Sequence, residues 1–372
     1  MASFARAESA VTNATEPTIR RADIPSLDGL RAVSIILVLA GHAIRFPEGR
    51  SYGFRALFQH ADLGVRIFFI ISGFLITTLL LNERSKCGSI SLRLFYIRRS
   101  LRILPASFLF IGCVAILNIL GFVSVPNKDW LHVLTYTVNF SHSTWVVGHL
   151  WSLSVEEQFY LLWPAVVKIA KPRTWVALAI LSIFAGISVR AFYTVTGIQL
   201  VDPGLRYAFP FVCGPIAMGC LLAMGAERVR CIIVSSKFLR SGRILMLTLL
   251  LIALLDALDL GTANRFLKIL MDSLLTLCVA RFIFVPTDVA GRFLNSGPVV
   301  FIGKLSYSLY LWQQLFLNPY SNVAIPRIFV SLLATVAAAS VSYFGVELKF
   351  LALRQKFRNT AAIQNGCRPD TQ

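Results

Sequence analysis

Arg31 and His42 are two polar side chains inside one apolar run, eleven residues apart. At about 100° per residue, this spacing puts both on one face of an α-helix, about 16 Å apart along the axis. A guanidinium and an imidazole are costly in hydrocarbon, so their shared face indicates a function. His42 is a candidate general base toward an alcohol, and Asp28 can pair with Arg31 one turn away. The alternative is that both side chains reach opposite water interfaces.

A second polar group opens a later apolar segment, from His149 to Tyr160. Ser152 and Glu156 share a helical face, with His149 one turn earlier, whereas Glu157 points about 100° away. A buried carboxylate near a histidine can orient it or act as acid or base, so Glu156 is a candidate catalytic residue. Ser152 and His149 are candidates for substrate contacts. The alternatives are a Glu pair at the water interface, or Glu157 as the functional carboxylate.

A third group is the basic segment 94–105, in which Arg99 and Arg102 are three residues apart on one helical face. Their two guanidinium forks match phosphate oxygens, so a phosphorylated cytosolic cofactor such as coenzyme A is a candidate ligand. Anionic lipid headgroups are the alternative, which charge alone favours.

The fourth group lies in segment 303–314, where Ser306 and Tyr310 share a helical face. Such a stripe can line a polar cavity, or it can belong to helix packing and to the aromatic belt of a membrane protein. Tyr310 is therefore a candidate substrate contact, whereas the belt suffices for Trp312.

The elements that position these residues must be membrane helices. The chain has 372 residues, of which 56% are hydrophobic and 15% charged, and its mean hydropathy is +0.70. A soluble globular protein of this length is more polar, so we predict an all-α polytopic membrane protein. The predicted spans, at about 20 residues each, are 27–46, 64–82, 104–123, 145–167, 175–193, 206–225, 244–259, 267–285, 297–317 and 327–346. Segment 130–143 is short and predicted to be interfacial or re-entrant.

The distribution of Lys and Arg predicts the orientation. Four segments are basic, 83–102, 168–173, 227–243 and 349–368, and ten spans with both termini cytoplasmic put all four on the cytoplasmic side. Membrane topology thus accounts for the net charge of +18, and no soluble basic domain favours a nucleic-acid partner. The predicted domains are a polar cytosolic tail (1–25), a membrane domain (26–350) and a basic cytosolic tail (351–372). No Cys pair has zinc-site spacing, so no metal site is predicted.

Five segments in order carry a resemblance to a known family. They are Leu27 to His42, with Asp28-Gly29-Leu30-Arg31, then Gly64 to Ile76, Tyr96 to Pro105, Trp151 to Tyr160 and Ser306 to Trp312. Together they resemble the acyltransferase-3 family of integral membrane O-acyltransferases over about residues 26–350.

The resemblance implies transfer of an acyl group, commonly acetyl, from cytosolic acyl-CoA to a hydroxyl of a glycan or glycolipid in the bacterial plasma (inner) membrane. Acyl-CoA is then a donor substrate, and no bound cofactor is expected. The family's essential Arg and His fall on Arg31 and His42, its Arg-x-x-Arg pair on Arg99 and Arg102, and its acidic residues on Glu156 and Glu347. Many relatives carry Asp at the position of Arg66 and His at that of Gln313, so this chain lacks one potential base and depends more on His42.

A mechanism can be written from these residues. Arg99 and Arg102 hold the cofactor phosphates, Arg31 polarises the thioester carbonyl or stabilises the tetrahedral oxyanion, and His42 deprotonates the acceptor with support from Glu156. Because Arg31 and His42 are about 16 Å apart along the helix, they cannot both touch one reacting carbon, so at least one of them serves binding or relay. A transporter or flippase of an anionic or acylated glycan is the alternative, and a lipid-binding protein without catalysis is a third possibility. A transporter would use polar residues at the same depth but bind no acyl-CoA.

Overall fold

The computed structural model describes residues 26–43, 61–141, 143–196, 207–257, 262–317 and 325–364. These residues contain helices and connecting turns, with no β-strand among them, which confirms the all-α prediction. The helices are α1 (Ser26–Ala43), α2 (Ala61–Cys87), α3 (Leu92–Ile119), α4 (Asn127–Leu134), α5 (Trp145–Gly148), α6 (Leu150–Ile169), α7 (Pro172–Thr196), α8 (Phe209–Val212), α9 (Gly214–Met224), α10 (Ala226–Ser235), α11 (Lys237–Arg240), α12 (Gly242–Ala257), α13 (Thr262–Phe284), α14 (Val289–Leu294), α15 (Gly297–Phe316), α16 (Ile325–Ser342) and α17 (Leu348–Gln364). A π-helical turn, Tyr343–Glu347, joins α16 to α17.

Each of the ten predicted spans overlaps at least one helix. Among the described residues, five helical segments are long and apolar enough to cross a membrane, namely Ser26–Ala43, Ala61–Cys87, Leu92–Ile119, Pro172–Val189 and Ile328–Gln355. The protein is therefore an integral membrane protein. The first and seventh predicted spans end at 46 and 259, outside the described residues, and the sixth begins outside them at 206.

Some boundaries differ from the prediction for local reasons. Helix α3 begins at Leu92 and not at 104, because the basic segment continues the same helix into the apolar stretch. The predicted span 206–225 is divided between α8 and α9, where Pro215 at the start of α9 has no N–H to extend the preceding turn. Segment 130–143 contains the end of α4, an eight-residue helix about 12 Å long that is too short to cross a bilayer.

Glycines bring the central helices into close contact. A Cβ atom added to Gly73 of α2 would collide with the carbonyl oxygen of Ile216 on α9, and one added to Gly219 would collide with that of Ile70. Likewise, a Cβ atom at Gly303 of α15 would collide with the backbone of Asp28 on α1. Small residues allow this approach in membrane helix pairs. The α1–α15 contact places the Arg31 and Tyr310 helices side by side.

Arg66 joins α2 to α13 through an ion pair. Its Nη1 atom lies 2.6 Å from Oδ1 of the buried Asp272, and its Nε atom lies 3.5 Å from Oδ2 of Asp62. A buried charge requires such a partner. The basic residue at this position is thus matched by a carboxylate 206 positions away, which explains how the chain accommodates it.

Two basic segments meet at one end of the helix bundle. At one end, Arg98 of α3 forms a 2.9 Å ion pair with Glu83 of α2, and Arg84 donates a hydrogen bond to the carbonyl of Val167 at the end of α6. The basic segments 83–102 and 168–173 therefore meet at one end. At the opposite end, Trp145 donates to the carbonyl of Leu317, which follows α15.

Candidate active site

A cavity lies among α1, α2, α3, α6 and α15. It brings together six of the eight predicted site residues, Arg31, Arg99, Arg102, Ser152, Glu156 and Tyr310. Three guanidinium groups and one carboxylate line the cavity, so its charge favours an anionic ligand. The wall between these groups is apolar and includes Val65, Phe68 and Phe69 of α2.

Arg31 is buried, and Nη1 donates a 2.9 Å hydrogen bond to Oδ1 of Asp28. This confirms the predicted pairing within one helical turn. The ion pair with Asp28 holds the guanidinium in place. A guanidinium has more N–H donors than this one bond uses, so Arg31 keeps donors for a ligand in the cavity.

Glu156 faces the cavity, and both of its carboxylate oxygens accept hydrogen bonds. Ser72 of α2 donates to Oε1 at 2.7 Å, and Tyr160 donates to Oε2 at 2.9 Å. Glu157 does not line the cavity, and its Oε1 atom has no hydrogen-bond partner among the described residues. The geometry therefore favours Glu156 over Glu157 as the carboxylate that meets a substrate.

Tyr160 links this carboxylate to the arginine pair. The guanidinium carbon of Arg99 lies 3.6 Å from the centroid of the Tyr160 ring, a cation–π contact. The Nε atom of Arg99 is buried without a partner among the described residues. The sequence analysis missed Tyr160, although its spacing of four residues from Glu156 was a signal that the two share a helical face.

Ser152 of α6 and Tyr310 of α15 also line the cavity. Their hydroxyl oxygens are 2.6 Å apart, and the Tyr310 hydroxyl donates to the carbonyl of His149 at 2.8 Å. Both side chains are buried. The polar stripe predicted on α15 therefore lines a cavity, as one of its two interpretations required.

His149 is buried outside the cavity lining. Its Nδ1 atom lies 3.1 Å from Oε1 of Gln314, and its Nε2 atom lies 3.0 Å from the carbonyl oxygen of Leu311. The His149 ring thus does not line the cavity but packs behind Tyr310, with their ring centroids 5.4 Å apart.

His42 also lies outside the cavity lining, near the end of α1. Its Nδ1 atom is 2.6 Å from Oε1 of Gln313, and the edge of its ring meets Trp145 at a centroid distance of 5.2 Å. The described contacts of Glu156 do not include His42, so any support between them is indirect. Arg31 and His42 lie on one continuous helix, so they are about 16 Å apart along its axis, as predicted.

Glu347 is buried behind the cavity in the π-helical turn, where it accepts a 3.0 Å hydrogen bond from Ser308. Its charge interacts with those of Arg102 and Arg31. π-helical turns often occur at functional sites. Glu347 therefore adds a carboxyl group near Arg102 and Arg31 without lining the cavity itself.

These features define an all-α integral membrane protein with a buried cationic cavity that also holds a carboxylate and hydroxyl groups. A family model described as an acyltransferase domain matches residues 24–346, so the chain belongs to the acyltransferase-3 family. The resemblance found in the sequence is confirmed.

Two relatives show the range of similarity. The O-acetyltransferase OatA of Staphylococcus aureus (strain NCTC 8325) is 29% identical over 374 residues, covering 87% of this chain and 56% of the relative. The peptidoglycan O-acetyltransferase OatA of Listeria monocytogenes is 28% identical over 389 residues, covering 92% and 56%. The chain spans just over half the length of these relatives. No solved structure matches it.

Proposed function

We propose that this protein is a membrane O-acyltransferase that moves an acyl group, with acetyl as the expected case, from cytosolic acyl-CoA to a hydroxyl of a glycan or lipid-linked glycan. The observation that carries this proposal is the single cavity in which three arginines meet Glu156, Ser152 and Tyr310. In a family of acyltransferases, such a cavity suits an anionic thioester donor.

Each side chain then has a role in the transfer. Arg99 and Arg102 bind phosphate groups of the donor, at the end of the bundle where the basic segments meet. Arg31 binds and orients the anionic donor, because it lies about 16 Å along α1 from His42 and the two side chains cannot both contact one reacting carbon. His42 removes the proton from the acceptor hydroxyl, whose oxygen bonds to the acyl carbon as the carbon–sulfur bond breaks and the thiolate leaves. Glu156 holds its position through Ser72 and Tyr160 and contacts the bound donor.

The relatives support a glycan as the acceptor, because one of them is named a peptidoglycan O-acetyltransferase. They also support acetyl as the transferred group, and their bacterial sources support the bacterial plasma membrane as the location. Membrane lipids surround the helices and are the remaining partners that we propose.

The test is an assay of purified protein in lipid nanodiscs with labelled acetyl-CoA and soluble peptidoglycan fragments. We expect thiol release that depends on the acceptor, together with transfer of label to the glycan. His42→Ala and His42→Gln should each lose about a hundredfold or more in rate while acetyl-CoA still binds, since a positioned base contributes about 10²–10⁴.

Two results would contradict the proposal. Movement of glycan across the bilayer without thiol release would indicate a transporter. Turnover by His42→Gln above about a tenth of the wild-type rate would exclude His42 as the base, because an amide cannot take the proton.

A further inference from the structure

Gln313 is a fully buried polar side chain of α15 that contacts the end of α1. Its Oε1 atom lies 2.6 Å from Nδ1 of His42, and its own amide nitrogen has no hydrogen-bond partner among the described residues. Burying an amide group costs free energy unless its polar atoms form hydrogen bonds. The contact with His42 is the one that the structure provides.

This contact assigns the proton on the His42 ring. With the amide oxygen of Gln313 facing Nδ1, that nitrogen carries the proton and donates it, because an amide oxygen only accepts hydrogen bonds. In a neutral imidazole the other nitrogen, Nε2, then holds the free lone pair. Trp145 meets the edge of the same ring at an interplanar angle of 82°, which restricts rotation of the ring out of this hydrogen bond.

His149 provides a comparison within the same fold. Gln314, the next residue of α15, accepts from the backbone N–H of His149 at 3.1 Å, and its Oε1 atom also faces Nδ1 of the ring. A backbone carbonyl faces Nε2. Both ring nitrogens of His149 therefore lie against acceptor oxygens, whereas Nε2 of His42 has no partner among the described residues.

We infer that Gln313 is a positioning residue that holds His42 in the tautomer whose Nε2 atom accepts the proton of the acceptor hydroxyl. This inference rests on the proposed function. It assigns to Gln313 a definite task at a position where the sequence alone indicated only a lost base.

The test compares three substitutions in the nanodisc assay, with kcat and KM measured for both substrates. Gln313→Met keeps the size but removes the acceptor oxygen, so kcat should fall by about tenfold or more while KM for acetyl-CoA changes by less than about twofold. Gln313→Glu restores an acceptor oxygen at the same reach and should recover most of kcat. Gln314→Met, the matched control on the same helix, contacts the other histidine and should lower kcat less than Gln313→Met.

A purely structural role for Gln313 gives a different result. It would reduce the yield of folded protein without a selective loss of kcat, and a buried carboxylate in Gln313→Glu would make folding worse and not rescue activity. If Gln313→Met fails to fold, Gln313→Asn gives the same test, since it draws the amide back by about 1.5 Å and breaks the contact. If the wild type transfers the acyl group and a folded Gln313 variant has an unchanged kcat, this inference alone is wrong. If the wild type transfers no acyl group, the proposed function is wrong as well.

Discussion

At the scale of single residues, Tyr160 connects Arg99 to the carboxylate of the cavity. Its hydroxyl donates to Glu156 at 2.9 Å and lies 3.0 Å from the Ser72 hydroxyl, while its ring supports the guanidinium of Arg99. The ring and the hydroxyl can be removed separately, because a phenyl ring keeps the cation–π contact and an aliphatic side chain keeps neither. The two functions of this residue are therefore open to separate measurement.

We expect Tyr160→Phe to lower the transfer rate with little change in acetyl-CoA affinity, because it removes only the hydrogen bonds to Glu156 and Ser72. Tyr160→Leu should also weaken acetyl-CoA binding, by about 0.5–2 kcal/mol for the lost cation–π contact. Titration calorimetry in nanodiscs measures the affinity, and the thiol-release assay measures the rate. Equal affinities of the Phe and Leu variants would contradict the link between Tyr160 and Arg99.

The arginine pair makes a second prediction at this scale. Arg99→Lys and Arg102→Lys keep the charge but lose the forked hydrogen-bond donors, so the affinity for acetyl-CoA should fall by about 1–3 kcal/mol for each direct contact. Exposed Arg93 lies in the same basic segment, and Arg93→Lys is the matched control. If all three variants bind acetyl-CoA like the wild type, lipid headgroups are the better ligand for this pair.

Sequence reasoning at the residue scale succeeded where partners are close along the chain. Arg31 with Asp28 follows from helical periodicity, and the four-residue spacing of Ser306 and Tyr310 placed both on the cavity. The contact of His42 with Gln313 joins residues 271 positions apart. No local pattern encodes such a distance, because it depends on how α1 packs against α15.

At the scale of elements, the position of the cavity depends on where helix backbones approach most closely. Gly73 and Gly219 allow α2 and α9 to meet backbone to backbone, and Gly303 does the same for α15 and α1. The positions of the helices along the chain were predictable from apolar stretches, but the breaks in the predicted spans 145–167 and 206–225 were not. They arise from local geometry around His149 and Pro215, which hydropathy does not register.

We expect Gly219→Ala to destabilise the protein by about 1–3 kcal/mol, because the new methyl group overlaps the Ile70 carbonyl and α9 must move away from α2. Gly112→Ala is the matched control, since a Cβ there meets nothing within 4 Å. It should raise the free energy of unfolding by about 0.5–1 kcal/mol, because alanine has the higher helix propensity. Thermal unfolding in nanodiscs measures both. A Gly219→Ala variant as stable as Gly112→Ala would show that the two helices separate at no cost.

At the scale of the whole molecule, the charge distribution divides the bundle into two ends. Arg98 with Glu83 and Arg84 with the Val167 carbonyl place two basic segments together, while His42 lies at the end where Trp145 contacts Leu317. The proposed transfer uses both ends, since the phosphates of the donor bind near the basic end while its thioester must reach the acceptor at His42. The Lys and Arg pattern predicted that segments 83–102 and 168–173 lie at the same end, because the positive charge of whole loops sets the topology and no side-chain detail is needed.

The side of the membrane on which each end lies is the last prediction. In a background with its seven Cys replaced by Ser, Ser89→Cys and Asn127→Cys place single thiols at exposed positions near opposite ends of α3. An impermeant maleimide added to intact cells should label position 127 and leave position 89 unlabelled, and both should react after the membrane is permeabilised. Reaction at position 89 in intact cells would put Arg99 and Arg102 on the outer side. A cytosolic acyl-CoA could not reach them there, so the proposed donor would be excluded together with the orientation.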